Sequence, residues 1–150
     1  MAYEVDQSNK IESSGDTVLA VSNGVSHTIL IPVKEKQKAL DFLTKRRGGS
    51  RKLGQIQLFA VALYFLLEPL PLSATVVIDT EYEGHEQDIQ SMLLNLIWRD
   101  KPDYDADRIT FGRIGKKSRA HKLALDIFRR RAKADRILKA DDLIRKIIGP

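Results

Sequence analysis

The sequence predicts an α/β domain built on a mixed sheet of five strands: three antiparallel strands, then two further strands, flanked by helices. Three observations carry that prediction. The first third of the chain is rich in β-branched residues and broken by turn signals. Helical stretches of contrasting polarity follow it. Between them lies Ala74 to Asp79 (ATVVID), a short apolar run of the kind that forms a strand covered on both faces. The 150 residues fit one domain over 1–150 and leave no room for a second full core.

The first strand runs from Tyr3 to Glu12, the second from Thr17 to Ser22 after Ser-Ser-Gly-Asp, and the third from His27 to Val33 after Asn23-Gly24. Asn-Gly between two β-rich runs is the strongest short hairpin signal, so the three should be antiparallel. Lys34 to Arg47 places Ala39, Leu40 and Leu43 at helical spacing and stops at Gly48-Gly49. Ser50 to Leu67 resumes as a largely apolar helix ended by Pro69 and Pro71, which suits a helix buried across the sheet. The ATVVID strand should be central and parallel to a neighbour. A helix over Glu86 to Trp98 follows, with Ile89, Met92, Leu93, Leu96 and Ile97 on one stripe. A strand from Arg108 to Ile114 comes next, then a helix capped by Ser118 and running to about Ala134. The last helix, Ala140 to Ile148, opens on Asp141-Asp142, acidic residues suited to a helix N-terminus.

Composition narrows the chemistry. With no cysteine, a thiolate nucleophile and thiolate-ligated metals are excluded, so any metal must use oxygen or imidazole. The longest apolar run, Leu58 to Leu67, is about half a membrane span, and the N-terminus MAYEVDQSNK is polar, so the expectation is a soluble, cytoplasmic protein with no membrane partner. The net charge of +5 is segregated. Residues 34–52 carry eight basic and two acidic side chains, and residues 113–146 carry thirteen and four. Between them, residues 79–107 carry two basic and nine acidic ones. An acidic, cation-holding centre between basic arms is what a metal-dependent nuclease needs; solvated helix faces are the simpler account of the same pattern.

Sites in layered α/β sheets form at the carboxyl ends of central strands. Asp79 ends the VVID run, Glu81 lies two residues on, and Asp6 interrupts the first strand. If the first strand pairs in parallel with VVID, Asp6 and Asp79 can share a divalent cation, Mg²⁺ or Mn²⁺. His85, in Glu83-Gly84-His85-Glu86, could border the same cleft.

The motifs Val5-Asp6-Gln7-Ser8-Asn9, Val77-Ile78-Asp79-Thr80-Glu81-Tyr82 and Gly115-Lys116-Lys117-Ser118-Arg119-Ala120-His121-Lys122-Leu123-Ala124 occur in that order on those elements. In this the chain resembles the ribonuclease H-like superfamily. The resemblance covers about 130 residues by element order. It implies a divalent-metal-dependent nuclease acting on DNA or RNA, with an exonuclease on single strands as one form. Asp6, Asp79 and His121 would be catalytic, and the same three with Glu81 would hold the metal. Ser8, Arg47, Arg51, Lys52, Tyr82, Lys116, Lys117 and Arg119 would contact nucleic acid. One departure is plain: where the family carries an acid on its core helix, Gln57 is the nearest match. The rival expectations are a nucleic-acid-binding module on the same fold without turnover, and an interaction domain for an acidic protein. A homo-oligomer is compatible with all three.

Overall fold

The computed structural model describes residues 2–149. Among them the chain forms six strands and five α-helices in the order β1 (Tyr3–Ser8), β2 (Thr17–Asn23), β3 (Val25–Ile31), α1 (Val33–Arg46), α2 (Arg51–Leu67), β4 (Val76–Asp79), α3 (Glu86–Asp100), β5 (Ile109–Gly112), α4 (Arg119–Phe128), β6 (Arg136–Ile137) and α5 (Ala140–Ile148). The mixed α/β architecture is the expected one, but the sheet has six strands rather than five, in the order β5-β4-β1-β2-β3-β6.

The N-terminal strands are antiparallel, with Gly24 at φ 74° turning the hairpin between β2 and β3. A positive φ costs glycine nothing, which is why Asn-Gly marks this corner. β4 pairs in parallel with β1, matching Tyr3 with Val76 and Val5 with Ile78, and β5 runs parallel on its other side. The first strand is shorter than its sequence predicts. Asn9 adopts φ 63°, and its amide donates to the carbonyls of Ser14 and Asp16, so the chain leaves the sheet after Ser8.

The two faces of the sheet are covered unequally. α2 packs over β2 and β3 while α1, α3 and α5 close over α2, so that Leu58 to Leu67 is buried all round. A helix in that position must be apolar on every side, which is the pattern seen. Gly54 makes the close approach of α1 to α2 possible: a Cβ there would stand 2.8 Å from Thr44 Oγ1. The other face carries α4 alone, resting on β1 and β2 through Ala120, Ala124 and Ile127 against Val18 and Ala20.

α4 ends at Phe128, well before the expected Ala134, because Arg130 takes φ 61° and reverses the chain. No glycine announces that turn. The segment returns to the free edge of β3, where β6 adds in parallel. Asp135 fastens it there: its carboxylate accepts from the N–H and hydroxyl of Thr28, and its own N–H donates back to Thr28 Oγ1. No described helix is long and apolar enough to cross a membrane.

Candidate metal centre

Strand alternation decides which side chains reach α4. Successive residues of a strand point to opposite faces, so Glu4, Asp6 and Ser8 share one face of β1. The parallel register with β4 carries Asp6 abreast of Asp79 on that face. Glu81 joins them from the loop beyond β4, and one carboxylate oxygen from each of the three lies within 4.8 Å of the others. Two like charges at that separation repel by about 3 kcal/mol at an effective protein dielectric near 20.

The surroundings hold the acids in place without neutralising them. Asp6 is 4% exposed and accepts the Gln7 N–H at Oδ1, 2.8 Å away. Asp79 Oδ1 accepts the Ile114 N–H at 2.7 Å, which ties it to the chain leaving β5. That bond draws the segment out of the sheet, so β5 stops at Gly112 instead of continuing to Ile114. Among the described residues' ion pairs, Lys10 is the one lysine or arginine that meets the three acids, 3.5 Å from Glu81. Burial, and next the shared hydrogen bond and charge of Asp79, push the Glu81 carboxyl up to about 7. Burial likewise raises Asp6 above the usual carboxylate range, against the lowering effect of its hydrogen bond to His121. With no cation bound, Glu81 therefore keeps its proton up to about pH 7. Three hard oxygen donors of this kind fit Mg²⁺ or Mn²⁺.

α4 is anchored to β1 by two bonds of matched spacing. Ser118, the N-cap, accepts the Ala120 N–H and donates its hydroxyl to Glu4 Oε1 at 2.9 Å. One turn later, His121 Nδ1 lies 2.8 Å from Asp6 Oδ2. A step of three residues on a helix therefore meets a step of two on a strand. Facing a carboxylate, Nδ1 carries the proton, and Nε2 remains the ring's second nitrogen for other chemistry. His121 is not part of the compact set of three acids; it reaches them through Asp6.

The other candidates divide. Lys116, Lys117 and Arg119 are exposed around Ser118, on the turn that also ties down Asp79. Ser8 is half-buried at the end of β1, on the same face as Asp6. Lys52 stands 5.3 Å from the centre of the Tyr82 ring. Tyr82, expected to contact nucleic acid, is buried. It is 4% exposed, packs on Phe59, donates its hydroxyl to Glu12 and accepts from the Ile11 N–H. Arg51 points to Asp41 at 3.8 Å. Gln57 does not occupy the position of the missing helix acid. It accepts from Arg47 Nε at 2.9 Å, and both line a cleft that contains none of the three acids. His85 pairs with Asp88 at the start of α3.

Three contributors were not anticipated: Glu4, Lys10 and the Ile114 amide. Glu4 had a signal, since it alternates with Asp6 on one strand face. The other two depend on where loops return. A largely apolar cavity of about 490 Å³ lies elsewhere, at the amino end of β4 beside Val76, Tyr64 and Ile97. Comparisons with protein-family models, with curated proteins and with solved structures returned no match.

Proposed function

We propose that the chain is a ribonuclease H-like, divalent-metal-dependent nuclease that hydrolyses phosphodiester bonds of DNA or RNA. The observation that carries this reading is the convergence of Asp6, Asp79 and Glu81 within 4.8 Å at the carboxyl ends of two parallel strands. Glu81 takes the part of the acid absent from α2. The three carboxylates would hold Mg²⁺ or Mn²⁺, which when bound supplies Lewis acidity toward the phosphodiester. Gln7 and Ile114 orient the Asp6 and Asp79 oxygens by their N–H groups, so the donor set is arranged before a cation arrives. His121 gives its Nδ1 proton to the hydrogen bond with Asp6, which frees Nε2 to take or return a proton at the reacting phosphate. Lys52, Lys116, Lys117 and Arg119 bind backbone phosphates on either side.

The test is cleavage of end-labelled single- and double-stranded DNA, RNA and hybrids in Mg²⁺ or Mn²⁺. Cleavage should appear with metal and vanish in EDTA and in Asp79→Asn. Cleavage unchanged in Asp79→Asn would overturn the reading. Salt-dependent binding without cleavage would move the chain to the binding-module alternative.

A further inference from the structure

Three arginines converge on one concavity within the helical layer, on the face of the sheet away from α4. Arg46 and Arg47 come from the end of α1 and Arg99 from the last turn of α3. With Gln57 and Asn95 they line a cleft of about 530 Å³. No carboxylate among the described residues lines it.

Three arginines elsewhere in the chain meet acids: Arg51 meets Asp41, Arg131 meets Asp126 and Arg136 meets Glu68. In the cleft the acceptors are neutral. Arg47 donates from Nε to the Gln57 amide oxygen, and Arg99 donates to the carbonyls of Lys146 and Ile147 at the end of α5. The Arg46 side chain has no hydrogen bond or ion pair among the described residues. The carboxyl ends of α1 and α5 bring only partial negative charge. Two guanidinium groups are thus held in position with no acid among the described residues to compensate their charge, and a third lies beside them.

We infer that this cleft binds a small molecule through a di- or triphosphate group. A guanidinium fork matches two phosphate oxygens at once, and three guanidinium charges match the several negative charges of a pyrophosphate better than the single charge of a carboxylate. The volume is that of a small-molecule site. Ala60, Met92 and Leu96 provide an apolar floor for the remainder of the ligand, and the Gln57 and Asn95 amides provide neutral polar contacts. The inference uses none of the three acids and stands apart from the nuclease reading.

The experiment is isothermal titration of the full chain with inorganic pyrophosphate and, separately, with ADP, both in EDTA so that no cation bridges the ligand to the acidic centre. Binding is expected with both, tighter for ADP if the floor takes its nucleoside. Arg47→Gln should weaken pyrophosphate about tenfold, the loss of roughly one charge-assisted contact. Arg46→Gln should weaken it by several-fold; because Arg46 supports no other described group, this variant keeps the fold. Arg131→Gln, already paired with Asp126, should bind like the parent. Pyrophosphate binding that survives Arg46→Gln and Arg47→Gln unchanged would overturn the inference, as would no binding at millimolar ligand in low salt. So would a short oligonucleotide that requires both arginines while pyrophosphate and ADP fail.

Discussion

Replacing Glu81 with glutamine should make the metal-free protein more stable, and only above mildly acidic pH. In the native site the Glu81 carboxyl is raised from 4.5 to about 7 by burial and by Asp79. Between those values the folded protein holds a proton that the unfolded chain releases. The stability contributed by that proton is fully present below 4.5 and is lost as pH rises through about 7. The undiscounted shift would correspond to about 3 kcal/mol, and solvent screening of a half-buried group reduces it to the order of 2 kcal/mol. Glutamine keeps the shape, stays neutral and can donate to Asp79 at every pH. The melting temperatures of parent and Glu81→Gln, measured by calorimetry in EDTA from pH 4.5 to 8, should therefore diverge with pH. The variant should melt higher by about 6 °C at the alkaline end, at 2–4 °C per kcal/mol for a chain of this size. Saturating Mn²⁺ at pH 8 should close the gap by stabilising the parent more than the variant. A difference in melting temperature that does not change with pH would refute the account of three crowded acids.

The remaining predictions probe the scaffold. Gly54→Ala must push against Thr44, whose Oγ1 and N lie 2.8 and 3.0 Å from the new Cβ. Overpacking of about 2 kcal/mol should outweigh the helix-propensity gain of about 1 kcal/mol, giving a net loss of about 1 kcal/mol in urea denaturation. Asp135→Ala leaves the buried Thr28 N–H and hydroxyl without their acceptor, so stability should fall by about 1–3 kcal/mol and hydrogen exchange should quicken in β6. Ser118→Ala removes the α4 cap at a cost of about 1 kcal/mol and frees Glu4. Any Mn²⁺-dependent cleavage should drop further than that stability loss explains, because His121 loses its anchor one turn away.

Much of this architecture can be read from residue type and spacing. Asn23-Gly24 marked the hairpin, Pro69 and Pro71 the end of the buried helix, and the unbroken VVID run a covered strand. Asp6 and Asp79 were legible because an acid in or at the end of an apolar strand is conspicuous. The end of α4 was not legible, because Arg130 takes a left-handed conformation with no glycine to mark it, closed by the Arg131 N–H on the Asp126 carbonyl and followed by the tie of Asp135 to Thr28. Tyr82 was misplaced because aromatic character cannot say which side of a loop is covered. Gln57 was misplaced because its motif spacing says nothing about which way a helix is rotated when it is enclosed on all sides.

The sequence by itself determined the element order apart from β6, the polarity of each helix and the limits on ligand chemistry: no thiolate, two strand acids, and basic segments on either side of an acidic one. These are local properties, set by backbone preference and side-chain type. The tertiary structure alone decided that Glu81 completes the acidic set, that the Ile114 N–H and His121 orient it, and that Arg47 turns to Gln57 and away from the acids. Each of those depends on two segments distant in sequence meeting at hydrogen-bond range. The parallel β1–β4 register and the rotation of α2 and α4 about their axes set that meeting.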